Sequence, residues 1–299
     1  MIAKKAQPFL KWAGGKTQLL TQIESFFPEE LLTGSITKYI EPFVGGGAVF
    51  FRVANTYPIS EFLISDLNPE LIIAYQTIQK DVESLISRLW KEQETYLSLT
   101  EEERKNFFYQ VRNDYNLRRN QINFETYHSH WIERTAKLIF LNRTCFNGLF
   151  RVNSKGEFNV PFGRYKKPRI CDIDNLRQVS QVLEKTIIQQ GDFTNCKQFV
   201  DQTSFVYFDP PYRPISKTSN FNAYSQQVFN DYEQLRLRDF FQSLDQKGAK
   251  LLLSNSDPKN EDQNDDFFED AYSNYRIERV EAARNINSKG SKRGKIKEL

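Results

Sequence analysis

TKYIEPFVGGGAVFFRVA, residues 37 to 54, sets a short apolar run against a break at Glu41-Pro42, then three glycines, then a helix-like segment. Strand, glycine loop and helix in that order are the grammar of an α/β unit that binds a nucleotide at the loop. The loop departs from the dinucleotide fingerprint G-x-G-x-x-G, because Phe50 stands where its last glycine would be. A second strand, EFLISD, closes on Asp66, roughly 20 residues past the glycines. An acid there, at a strand's C-terminal end, is placed to accept hydrogen bonds from ribose hydroxyls.

Working outward, strand signals return in KTIIQQGDF, SFVYFDPPY and GAKLLLSNS, with a helix-like DYEQLRLRDFFQSL between the last two. Residues 70 to 140 differ: they are helical, charged and aromatic, as in EEERKNFFYQVRNDYNLRR. After them, NSKGE reads as a hairpin turn between FNGLFRV and EFNVPF. The simplest organisation is one discontinuous α/β domain, residues 1–66 and 166–299, split by an inserted helical and β-hairpin domain at 67–165. The tail RNINSKGSKRGKIKEL is basic and glycine-containing, and reads equally as a solvated end or a nucleic-acid contact.

The chain has 299 residues, 39% hydrophobic and 26% charged, which suffices for a sizeable core. Net charge is only +3, so any nucleic-acid role must come from local clustering. No apolar run approaches the ~20 residues of a membrane span, and the first residues lack a signal peptide's long apolar stretch. Cys145, Cys171 and Cys196 are far apart, and the two histidines, His128 and His130, have no ligand-spaced partner. That pattern argues against a metal and a disulfide framework, and fits a reducing, cytoplasmic setting. GGKT at residues 14 to 17 hints at a phosphate loop, but Leu10 occupies the place of that motif's first glycine and no strand pattern precedes it.

SFVYFDPPYRP is the most informative stretch. It puts a carboxylate, a stiff turn and an aromatic face at a strand's C-terminal end, where open α/β sheets bind ligands. Pro210 and Pro211 fix φ and remove two backbone donors, so the neighbouring carbonyl is presented as an acceptor in a set direction. Asp209 is a second acceptor and Tyr212 a stacking surface. Two acceptors and a flat face suit an exocyclic amine on an aromatic base. Its lone pair is delocalised into the ring, and hydrogen bonds to both N–H groups free that pair for attack. The competing reading is a structural turn, for which Asp-Pro-Pro is good chemistry.

Taken together, these segments resemble a class-alpha, Dam-type adenine-N6 DNA methyltransferase over nearly the whole chain. FLKWAGGKTQLL is similar to that family's N-terminal motif, EPFVGGGAVFF to its S-adenosylmethionine loop, DPPY to its catalytic motif, and NRTCFNGLFRVNSKGEFNVPFGRYKKP to its target-reading hairpin. The resemblance implies a Rossmann-like S-adenosylmethionine-dependent fold that needs no metal. It implies cofactor contacts at Trp12, Lys16, Asp66 and Asp209, a loop shaped by Glu41, Phe43 and Gly45, and an adenine-ring site at Asp192 and Phe193. Outside the resemblance, Trp12 reads as a core aromatic and Lys16 as a surface charge.

The implied substrate is double-stranded DNA, with the target adenine flipped out of the helix. By analogy with the family, Phe146 would intercalate and Asn147 would meet the orphaned base. Tyrosine is common at the first position, so a phosphate bond from a hydroxyl is lost here. Arg151 can fork onto guanine, Leu149 and Pro161 can pack on a thymine methyl, and Lys11 is implied at the outer guanine. The set resembles the one that reads GATC. Arg164, Lys166, Lys167 and Arg169, with Tyr165 among them, read as phosphate contacts or as a solvated charge run. A monomer is expected, with no stable protein partner implied and a cognate restriction endonuclease left open as a genetic companion. Two rival readings remain: a methyltransferase acting on RNA or a protein amide, and a DNA-binding repressor with a degenerate cofactor fold.

Overall fold

A computed structural model describes residues 5–213, 229–284 and 294–299. Short helices α1 (Leu20–Glu24) and α2 (Glu30–Thr33) lead into β1 (Lys38–Glu41), the glycine loop, α3 (Ala48–Thr56) and β2 (Glu61–Asp66). Three long helices follow: α4 (Pro69–Ser98), α5 (Glu101–Leu117) and α6 (His130–Thr144). After the hairpin region come α7 (Ile173–Leu183), β3 (Thr186–Gln190), β4 (Ser204–Phe208), α8 (Asp231–Asp245) and β5 (Lys250–Leu253). The chain closes with α9 (Phe267–Ala271), β6 (Val280–Arg284) and β7 (Gly294–Glu298).

The main sheet is parallel throughout, in the order β3-β2-β1-β4-β5. Its strands read as apolar runs because both faces are covered. Tyr39, Phe62, Ile64, Phe205 and Tyr207 enter one core with α3, α4 and α7. Ile40, Leu63, Val206 and Phe208, the alternate residues, enter a second core with Leu237, Phe240 and Phe241 of α8. From β1 the chain runs outward to β2 and β3, then crosses back to β4 on the other side. The switch point therefore lies between the C-terminal ends of β1 and β4, at Glu41-Pro42 and Asp209-Pro210.

Asn68 caps α4, accepting from the Glu70 amide at 3.0 Å, and Pro69 fills its first turn. The helix is interrupted at Asp81, whose φ of −152° and ψ of 53° leave the helical region. Thr100 and Glu103 form a capping box on α5. The buried Arg134 of α6 joins Glu70 (Nε to Oε2, 2.9 Å) and lies over the Tyr115 ring, tying α4, α5 and α6 together.

The hairpin forms with its turn at NSKGE: the Asn153 amide donates to Glu157 at 2.9 Å and the Gly156 amide to Asn153 at 2.8 Å. Its arms pair at isolated antiparallel bridges, Val152 with Phe158 and Cys145 with Phe162, held by backbone bonds such as Asn159 to Arg151 at 3.0 Å and Phe146 to Pro161 at 2.8 Å, rather than along a continuous ladder. Asn147 and Gly148, both at positive φ, bend the first arm, and Pro161 has no amide to give. Instead Asn116 of α5 grips the returning arm, exchanging two bonds with the Phe158 backbone at 2.8 and 3.0 Å. Part of the tail differs from the solvated-end reading. Residues 294–298 form β7, paired antiparallel with β6, while the basic Lys289, Lys292 and Arg293 lie outside the described residues.

Candidate active site

The D-P-P-Y turn leaves β4 at the switch point and is fixed from behind by buried amides. Gln234 of α8 donates to the Pro211 carbonyl at 3.1 Å, and Asn255 donates to Gln234 at 3.0 Å. Asn255 also accepts the Arg213 amide at 3.3 Å, and Arg213 is held by Asp231 and Asp265. The turn is thus pinned on both sides of Tyr212.

In front of it, the structure brings four side chains together. The Lys16 ammonium, only 4% exposed, lies 3.1 Å from Asp209 Oδ1 and 3.2 Å from Glu298 Oε2. It also contacts the Tyr212 hydroxyl and stands 4.3 Å from that ring's centroid. Tyr212 donates to Glu298 Oε2 at 2.7 Å. Burial pushes the Asp209 carboxyl up to about 6; the Lys16 ammonium opposes the rise and the Glu298 charge adds to it. Lys16 is therefore not a surface charge but a buried cation beside the D-P-P-Y turn.

The glycine loop lies alongside. Gly45 and Gly47 take φ of 48° and 73°, and the Gly45 amide donates to Asp66 Oδ2 at 3.1 Å. Asp66 Oδ1 accepts the Asn68 amide at 2.9 Å; burial raises its carboxyl and these backbone bonds resist. Glu41, fully buried, accepts from Tyr39 Oη at 2.6 Å, and burial holds its carboxyl well above the usual range. Trp12 covers the loop so closely that a Cβ on Gly45 would sit 3.0 Å from its Cδ1. On its other side Trp12 stacks on Phe150 of the hairpin, centroids 5.0 Å apart at 18°.

Phe43 and Phe193 meet across 5.4 Å, with Phe229 edge-on to both. Asp192 caps the turn that follows it, accepting from Thr194, and takes a two-pronged bond from Arg236 at 2.9 and 2.7 Å. That guanidinium and the Thr194 bonds hold the Asp192 carboxyl down to about 2, and the guanidinium also covers Phe193 at 4.2 Å.

At the hairpin root, Phe146 is 53% exposed and Asn147 sits at φ 59°. Arg151 is exposed, its Nε bonded to Asn159 Oδ1 at 2.7 Å. Pro161 is exposed and Leu149 half-buried against the core. Arg164, at φ 54°, and Lys166 are both exposed. Lys11 is exposed 5.8 Å from the Tyr165 ring. Its backbone exchanges two 2.9 Å bonds with buried Asn142, which also donates to the Gly148 carbonyl at 3.0 Å.

Sequence reasoning missed Glu298, Asn142, Arg236 and the Gln234–Asn255 pair. Asn142 lay inside a quoted motif, but only the fold shows that it clamps Lys11 to Gly148. Glu298 carried no signal, being one acid among lysines.

Sheet order and site together define the class: a Rossmann-like methyltransferase. Comparison with known proteins then gives the family. The family model for D12 class N6 adenine-specific DNA methyltransferases matches residues 12–286, and the chain belongs to that family. It is 50% identical to the Type II methyltransferase M.MjaIII of Methanocaldococcus jannaschii over 289 residues, 97% of this chain and 96% of that one. It is 34% identical to the DNA adenine methylase of Haemophilus influenzae over 299 residues, 99% and 93% of the two chains. It is 32% identical to the DNA adenine methylase of Escherichia coli K12 over 297 residues, 99% and 95%. The protein is an enzyme that methylates DNA adenine at N6. Among the described residues, no helix is long and apolar enough to cross a membrane.

Proposed function

We propose that the enzyme uses S-adenosylmethionine to methylate an adenine flipped out of duplex DNA, within GATC. The observation that carries this reading is the meeting of Asp209, Tyr212 and Lys16 at the sheet's switch point, beside the glycine loop. The donor set fits a cationic sulfonium ligand: Glu41 lies near enough to Asp66 and Asp209 to feel both of their charges, so three acids gather beside the loop. The loop beneath Trp12 has no room for a Cβ at Gly45, so a ligand there meets bare backbone. Trp12, Lys16, Asp66, Asp192 and Phe193 would hold the donor, with Phe43 shaping its wall.

When bound, the donor supplies a methyl carbon that the amine's lone pair attacks as the sulfur–carbon bond breaks, the pair staying on sulfur and the surplus amine proton passing to water. Asp209 and the Pro210 carbonyl accept the two amine hydrogens and localise the lone pair, while the Tyr212 ring orients the base. No metal enters this account. Phe146 and Asn147 would fill the gap in the duplex, and Lys11, Arg151, Leu149 and Pro161 would read the flanking bases. Residues 1–66 and 166–299 then form the catalytic part and 67–165 the target-recognition part, working as a monomer. The type II name of the M. jannaschii relative supports a restriction–modification setting.

The test is tritium transfer from labelled S-adenosylmethionine to duplexes with one GATC, a permuted site or no adenine at the target. Label should enter only the first, and Asp209→Ala should lose transfer while keeping salt-sensitive DNA binding. Equal labelling of the permuted site would refute the GATC assignment, and near-normal transfer by the variant would remove Asp209 from the mechanism.

A further inference from the structure

The catalytic turn contains a conflict that the proposed chemistry must resolve. Lys16 contacts the Tyr212 hydroxyl at the edge of the ring, and it is bonded to the carboxylate that the target amine needs. An ammonium there also opposes the positive charge that develops on N6 as the new bond forms. Lys16 must therefore give up Asp209, yet at 4% exposure it has little water to replace that partner. Among the described residues it also reaches the Tyr212 hydroxyl and, at 3.2 Å, the Glu298 carboxylate, of which the latter carries the charge that can replace Asp209.

Glu298 is anchored through both of its neighbours. Its neighbour Leu299 exchanges backbone bonds with Asn255 at 2.8 and 3.0 Å, and Lys297 exchanges bonds with the Asn260 amide at 3.0 and 2.7 Å. Asn255 is the residue that pins the D-P-P-Y turn through Gln234 and the Arg213 amide. One buried amide thus sets the distance between Glu298 and the turn.

Building on the proposed role of Asp209, we infer that Glu298 is a positioning residue for methyl transfer. Its carboxylate takes over the Lys16 ammonium, so that Asp209 exchanges that ammonium for the N6 amine. The groups facing Asp209 are Lys16 from the N-terminal segment, Glu298 from β7, Tyr212 on its own turn, Tyr207 of β4, and Tyr39 and Glu41 of β1. Of these only Lys16 is cationic, so the acid limb of the rate reports how closely it holds Asp209.

The experiment compares wild type, Glu298→Gln and Lys16→Met in the full chain, by single-turnover methylation across pH and by calorimetric binding of DNA and of S-adenosylmethionine. Glu298→Gln keeps the shape and removes the charge. It should slow transfer at neutral pH by about tenfold or more, leave DNA and donor affinity little changed, and move the acid limb to lower pH because Lys16 then serves Asp209 alone. Lys16→Met should move that limb the opposite way. A wild-type rate in Glu298→Gln, a loss confined to affinity, or an acid limb that stays put in either variant overturns the inference. Should the wild-type enzyme itself transfer no label to duplex DNA, the functional reading fails instead, and the two failures are distinct.

Discussion

In the proposed transfer an ionised Asp209 is the better acceptor for the amine hydrogen, yet it sits where burial favours the neutral acid. The balance leaves it near 6, close enough to neutrality for the charge to persist at physiological pH and to be lost in mild acid. The sign follows directly: the raised value means that protonation begins about two units sooner than for a free carboxyl, and the protonated form offers the amine one acceptor fewer. Single-turnover methylation should therefore hold steady above neutrality and fall about tenfold per unit below about pH 6. A rate that stays flat to pH 5 would mean that another group sets the acceptor. The residue types at this turn were legible in DPPY, because proline stiffness and strand-end placement are local properties. Its charge balance was not, since Lys16 and Glu298 arrive from opposite ends of the chain.

Among elements, the glycine loop and the hairpin illustrate two ways in which backbone conformation serves a site. Gly47 takes φ 73°, and a Cβ there would lie 2.6 Å from Tyr75 Oη and 3.1 Å from the Phe51 ring. Tyr75 Oη donates to the Gly45 carbonyl at 3.1 Å, so any side chain at 47 pushes on the bond that shapes the loop. Gly47→Ala should cost about 1–3 kcal/mol in urea unfolding, and an unshifted midpoint would show that the loop yields freely. The hairpin instead presents the exposed Arg151, braced by Asn159 through its Nε at 2.7 Å and a second fork nitrogen at 3.5 Å. Arg151→Ala should relax choice at a single guanine by about 1–3 kcal/mol, read as kcat/KM ratios on singly substituted sites; unchanged ratios would assign that guanine to another residue. The turn at NSKGE was legible from its glycine and its flanking apolar arms. The sparse pairing of those arms was not, because α5 supplies through Asn116 what a neighbouring strand would otherwise give.

Across the whole molecule, what could be read from sequence follows burial. β4, covered on both faces, appears as the unbroken run SFVYF, whereas the edge strand β3, TIIQQ, alternates buried and exposed residues. β6 and β7 mix lysine and glutamate with small residues, so GKIKE resembles any solvated tail until its pairing partner is known. Charge follows the same logic in reverse. A net charge of +3 says little about DNA, whereas Arg164, Lys166, Lys167 and Arg169 are all exposed within six residues of one another, beyond the hairpin. Arg169 is already paired with Asp172 at 2.7 Å, so its share of phosphate binding is reduced. Lys166 is exposed, and the chain beneath it is fixed by a 2.9 Å bond from Arg104 to its carbonyl. On the proposed DNA-facing surface, a lysine set on a rigid base in this way would bind phosphate as a point charge and carry no sequence information. Lys166→Ala should therefore weaken GATC and unrelated duplexes by the same factor, and reduce the slope of log K against log salt by about 1. Binding measured by anisotropy at several salt concentrations decides the matter: weakening confined to GATC, or an unchanged slope, would move this lysine from the phosphate backbone to the reading surface.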